Sequence, residues 1–159
     1  MKRQIRILTL VLCLTGALAG CQGSLFHSDY AKMAGEQWDG QEPLLFDLPV
    51  VDESWDGYLW VSVRTVGHFA YEQVVVQAEV RCDGHHVENR SLTVNMHHRD
   101  EAHMPNLPYE DNFSELVPLH LKPGKHYTLR LTHRMRLNPL DNIASVGIGL
   151  QGDEEEPNR

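Results

Sequence analysis

Tyr127-Thr128-Leu129-Arg130-Leu131-Thr132 carries an apolar side chain at every second position and a polar one between. Successive side chains on an extended strand point to opposite faces, so this run has one face for a core and one for water. A helix would need its apolar groups three and four apart, and here they stand two apart. The same period recurs on both sides. Leu59, Val61 and Val63 alternate with Trp60, Ser62 and Arg64, while Ala144, Val146, Ile148 and Leu150 alternate with Ser145, Gly147 and Gly149. Shorter stretches at 29–33, 43–48, 73–81, 87–96 and 115–121 bring the set to about eight strands. No amphipathic helix follows Cys21. Many short antiparallel strands, each with one wet face, predict an all-β domain over 29–151: a two-sheet β-sandwich of jelly-roll or immunoglobulin-like type.

Turn chemistry supports the divisions. Pro123-Gly124 separates two strands, Trp55-Asp56-Gly57 precedes another, and Asp83-Gly84 lies between 73–81 and 87–96. A two-residue loop at Asp83-Gly84 would set Val76 opposite Ser91 and Val74 opposite Thr93, mixing the faces. A three-residue loop, Asp83-Gly84-His85, sets Val76 opposite Leu92 and Val74 opposite Val94. A one-residue slip turns every side chain over, so the longer loop with a glycine-centred bulge is expected. The stretch 97–112, rich in His, Asp, Glu and Pro, reads as a long loop, and 152–159 as an acidic flexible tail.

Ahead of the strands stands an export pattern. Lys2, Arg3 and Arg6 give a positive start, Ile7 to Ala19 an apolar run of 13 positions, and Leu18-Ala19-Gly20-Cys21 closes it. A bilayer-spanning helix needs about 20 apolar residues, so residues 1–20 read as a signal peptide rather than a permanent span. An aliphatic residue, two small ones and a cysteine form a lipobox. Cys21 is therefore expected to be freed and acylated, with 21–28 as a lipidated tether. Each buried methylene contributes about 0.8 kcal/mol, so the two or three chains of a lipoprotein cysteine hold it firmly in a membrane. Gln22, rather than an aspartate, points to the outer membrane, facing the periplasm.

Removing residues 1–20 leaves 139 residues with 11 basic and 22 acidic groups, a formal charge of −11. That excludes a nucleic-acid partner, whose phosphates need a basic surface. Cys82 is the one cysteine left besides Cys21, so no internal disulfide forms. Ten histidines are conspicuous, with His85-His86, His97-His98 and His103 clustered. Neighbours on an extended segment point apart, however, and no HExxH or CxxC completes a site, so neither a metal nor another cofactor is expected. No GxSxG elbow is present, and no catalytic residue is assigned.

One stripe invites two readings. Tyr58, Trp60, Ser62 and Arg64 lie opposite the Leu59-Val61-Val63 face, and Tyr, Trp and Arg are the residues of interface hot spots. Either another segment covers them, or Tyr58, Trp60 and also Trp55 form an exposed aromatic surface.

Tyr58-Leu59-Trp60-Val61-Ser62-Val63-Arg64-Thr65, followed by Phe69-Ala70-Tyr71-Glu72-Gln73, resembles the "iRn…YpYsN" stretch of the GldH family of gliding motility lipoproteins. Tyr127 to Leu131, then Met135-Arg136, Leu140, Ile143 and Val146-Gly147, resembles that family's closing motif, and Tyr30, Trp38 and Phe46 fit its upstream positions. The family's Gly- and Trp-containing middle loop has no evident counterpart in 97–112, which marks a divergent member. The resemblance implies a non-enzymatic component of the gliding and associated secretion machinery, acting on other envelope proteins. It also singles out Arg64, Tyr71, Met135 and Arg136, either as interaction residues or as groups that lock strand ends. A sugar-stacking, glycan- or cell-wall-binding module is the alternative function.

Overall fold

A computed structural model describes residues 25–96 and 109–153. The expected signal peptide and acidic tail, Cys21 and the histidines of 97–103 lie outside the described residues. Eleven strands run in chain order: β1 (Leu25–Lys32), β2 (Gln37–Trp38), β3 (Leu44–Asp47), β4 (Trp55–Val66), β5 (Gln73–Cys82), β6 (His85–Asn95), β7 (Tyr109–Phe113), β8 (Val117–Leu121), β9 (Tyr127–His133), β10 (Leu140–Asp141) and β11 (Ile143–Gly152). A single 3-10 turn at Ala34–Glu36 is the one helical element among the described residues.

All strand pairs are antiparallel, and there are three sheets where two were expected. The largest has the order β1-β11-β4-β7, with β8 also on β4. β4 is long enough to take two partners along one edge: Ser62–Val66 pairs with β7 and Trp55–Leu59 with β8. A second sheet has the order β3-β9-β5-β6, and β2 with β10 forms a small third. The strand count rises from eight to eleven because the extra strands are short or lack an apolar face.

Both larger sheets turn their apolar sides into one buried cluster. Leu59, Val61, Val63, Val146, Ile148 and Leu150 come from the five-stranded sheet; Val74, Val76, Ala78, Val80, Leu92, Val94, Leu129 and Leu131 come from the four-stranded one. Each of the Val, Leu and Ile side chains contributes about 1.5–3 kcal/mol when fully buried, so these alternations dominate the fold's stability.

Three expectations are corrected. β1 begins at Leu25, so residues 25–28 are strand rather than tether. β7 begins inside the expected loop 97–112, and the sequence conceals it because the side chain it buries is Asn112, not an aliphatic one. Third, Val74 does face Val94 and Val76 does face Leu92, but Cys82 pairs with His85, so the turn holds two residues. The extra residue is taken up by a bulge: Arg81 pairs with His86 and Val80 with Glu88, leaving Val87 unpaired. Positive φ at Asp83 (49°) and Gly84 (80°) is the backbone a tight primed turn demands.

Beyond the main core, Trp38 is 1% exposed and pairs across the third sheet with Leu140. The His133 ring meets Trp38 edge-on at 5.1 Å. Its Nδ1 accepts the Met135 N–H at 3.3 Å, so Nε2 carries the proton and donates to the Trp38 carbonyl at 3.1 Å. Burial holds the His133 pKa below its ordinary value, keeping the ring neutral.

Candidate docking surface

The outer face of the five-stranded sheet gathers the expected stripe with residues from three other strands. On β4, Tyr58, Trp60, Ser62 and Arg64 point away from the core, as the alternation requires. β11 brings Gly147 opposite Ser62 and Gly149 opposite Trp60. β1 brings Tyr30 beside Gly147, while β7 sets Phe113 opposite Ser62 and Asp111 opposite Arg64. Tyr30 is 63% exposed, Phe113 52% and Tyr109 49%, values that mark a patch left open by the rest of the described chain.

Glycine makes the floor. A Cβ on Gly149 would fall on the Trp60 indole, so the ring lies across β11 only because that position has no side chain. At Gly147 a Cβ would stand 2.7 Å from Ser62 Oγ and 3.0 Å from the Asp29 carbonyl. Phe113 meets the Trp60 ring edge-on at 5.4 Å, fixing it from the other side.

At the upper end of the stripe Arg64 is held by a fork: Nε donates to Asp111 Oδ1 at 2.6 Å and Nη2 to Oδ2 at 2.8 Å. This bidentate pair holds the Asp111 carboxyl below the usual carboxylate range. The guanidinium carbon also stands 6.0 Å from the centre of the Tyr109 ring, within cation–π range. A planar cation, a carboxylate and five aromatic rings thus share one face, on strands already paired with one another. Such a surface is suited to recognition; it brings together no nucleophile and base. Among the described residues no three His, Cys, Asp or Glu side chains converge as a metal site.

The remaining sequence-predicted residues scatter. Trp55 is not part of this surface. It shares parity with Leu59, is half-buried at the start of β4 and stacks on Phe26 at 5.0 Å. Tyr71 packs against the core beside Phe69, and Met135 does so with its Sδ accepting the Val75 N–H at 3.4 Å. Both serve packing. Arg136 is exposed on the bend after β9. Sequence reasoning missed Tyr109, Asp111 and Phe113, because the one side chain β7 buries is Asn112 and the strand offers no aliphatic period.

Residues 26–150 match the family described as GldH lipoprotein, which covers most of the chain. The chain belongs to the GldH lipoprotein family. The stripe and the Met135-Arg136 segment that suggested GldH from sequence both fall within the matched span. No curated protein matches the sequence significantly. Among solved structures, CBM35 from Cellvibrio japonicus Abf62 is similar at 10% identity and a TM-score of 0.37, with 84% of this chain and 94% of that one covered. Eiger TNF from S. frugiperda gives 12% and 0.34, with 69% and 68% covered. Dimeric latent PorU from Porphyromonas gingivalis gives 8% and 0.33, and this GldH-family chain spans 85% of itself but 14% of that protein. Likenesses this slight carry no inference about what the chain binds.

Proposed function

We propose that this GldH-family chain is a lipid-anchored, non-enzymatic component of the bacterial envelope that docks a protein of the gliding or associated secretion machinery. On this reading residues 1–20 direct export, Cys21 carries the lipid at the outer membrane on its periplasmic side, and a β-sandwich body presents the docking face. The observation that carries it is the joint exposure of Tyr30, Tyr109 and Phe113 around the Arg64–Asp111 pair. Aromatic rings and arginine dominate interface energetics, and these are set on rigid strands, which lowers the ordering cost of binding. The test is photo-cross-linking in the native envelope from Tyr30 or Phe113. One discrete protein adduct, lost in Trp60→Ala, is expected; adducts to lipid alone would defeat the proposal.

The Trp60 ring lying across Gly149 favours one further reading, a platform on which a sugar ring stacks. Binding isotherms with peptidoglycan and polysaccharides separate the two. Binding abolished by Trp60→Ala supports the glycan reading; unchanged binding removes it.

A further inference from the structure

We infer that the end of the body bearing Leu25, Phe26, Val50 and Trp55 rests on the bilayer surface, giving this chain a second membrane contact beside its lipid. The inference rests on acylation of Cys21. Three residues separate that cysteine from Leu25, where β1 begins. An extended chain advances at most about 3.6 Å per residue, so Leu25 lies within about 14 Å of the Cys21 Cα. The body's orientation is thereby restricted, because whatever surrounds Leu25 must face the headgroups.

Several apolar groups surround it. Leu25 pairs with Gln151 at the end of β11, and Gln151 also pairs with Tyr58 near the start of β4. Trp55 begins β4 opposite Leu121, the end of β8, and the turn that follows bonds through Gly124 N–H to the Val51 carbonyl. Leu25 is 57% exposed, Val50 49% and Phe26 44%, while Phe26 and Trp55 stack with their planes 22° apart. Apolar side chains left uncovered a few residues from a lipid anchor fit the headgroup boundary, where tryptophan partitions readily.

Charge narrows the surface. Asp52, Glu53, Asp56, Asp83 and Asp153 stand at this end with Lys122, Lys125, His120 and His126; Asp83 pairs with Lys125 and Asp56 with His120. The balance is acidic, so the contact is apolar and suits zwitterionic phospholipid. Anionic lipid weakens it. With this foot down, β4 climbs away from the bilayer and Arg64, nine residues beyond Trp55, stands about 30 Å further out. The Arg64–Tyr109 end of the docking face is then the membrane-distal end.

Brominated phospholipids, which quench tryptophan on contact, provide the test. The acylated chain is reconstituted in phosphatidylcholine vesicles as Trp60→Phe, which keeps Trp55, and as Trp55→Phe, which keeps Trp60; buried Trp38 at the opposite end is common to both. Emission of Trp60→Phe should fall, more with bromines near the headgroup than deep in the chain, and that of Trp55→Phe should not. Leu25→Ser with Val50→Ser, both at exposed positions, should relieve the quenching. Vesicle-bound protein with Trp55 unquenched, or with Trp60 quenched instead, overturns the foot while leaving the anchor intact. Protein that fails to float with vesicles and shows an unmodified Cys21 by mass overturns the anchor reading and the foot with it.

Discussion

At the residue scale, two buried residues control measurable properties. His133 is neutral, with both ring nitrogens used and burial depressing its pKa below the ordinary 6.5. A depressed imidazole contributes stability that is whole above pH 6.5 and lost as pH falls, because the unfolded chain takes up the proton first. Urea unfolding should therefore show stability declining below about pH 6.5, with a slope of at most about 1.4 kcal/mol per pH unit. His133→Gln should flatten that decline. Asp39 and Asp111, whose hydrogen bonds hold them below 3.8, contribute stability that is whole above that value and lost as pH falls below it. Gly149 makes the second case. Gly149→Ala drives a methyl into the Trp60 ring, and overpacking of this kind costs about 1–3 kcal/mol. The ring should lift, shifting its emission, and cross-links from Phe113 should weaken even where the variant stays folded. Emission and cross-linking both unchanged would show that the glycine floor does not position the ring.

At the element scale, the β5–β6 hairpin shows how far sequence reasoning reached. Matching Val74 with Val94 and Val76 with Leu92 followed from the requirement that aliphatic faces coincide, which is a strong constraint on register. Where the odd residue goes is a weaker matter, settled by local backbone preference: Asp83-Gly84 suits a two-residue turn, and Val87 is displaced into a bulge. A deletion tests this. Removing Val87 leaves Arg81 opposite His86 and Val80 opposite Glu88 in an unbroken ladder, so stability should change by no more than about 1 kcal/mol. Removing Ser91 instead closes the same bulge but reverses the faces of residues 87–90, which carry the Glu88–Arg90 pair, so it should destabilise more than the Val87 deletion does in urea unfolding. The docking surface was legible in part for the same reason. Tyr58, Trp60 and Arg64 were readable as outward because Leu59, Val61 and Val63 fix the parity of β4, and that parity also excludes Trp55. Asp111 and Phe113 were not readable, since β7 buries Asn112 and offers no aliphatic period, and its pairing with β4 bridges 47 residues between Arg64 and Asp111.

For the whole molecule, the relation between anchor and docking face decides how the protein works. On the proposed reading, with Cys21 acylated, a three-residue tether would confine the body near the bilayer, and confinement would raise the effective concentration at which its outer face meets a partner fixed in the same envelope. Effective concentration falls roughly as the −3/2 power of tether length once the tether is flexible and longer than the span it bridges. Inserting about twenty Gly and Ser residues after Ser24 should therefore lower, without abolishing, the yield of the adduct formed from Phe113. Cys21→Ser removes confinement altogether and should abolish both adduct and function while leaving the fold unchanged. Trp60→Ala should give the complementary result: normal membrane fractionation with the adduct lost. Scoring fractionation, adduct yield and cell spreading on the same three strains separates anchoring from recognition. If the long-tether strain matched the Cys21→Ser strain, the body would be acting through a geometry fixed at the membrane surface, as the apolar foot at Leu25 and Trp55 would impose, and concentration alone would not account for it.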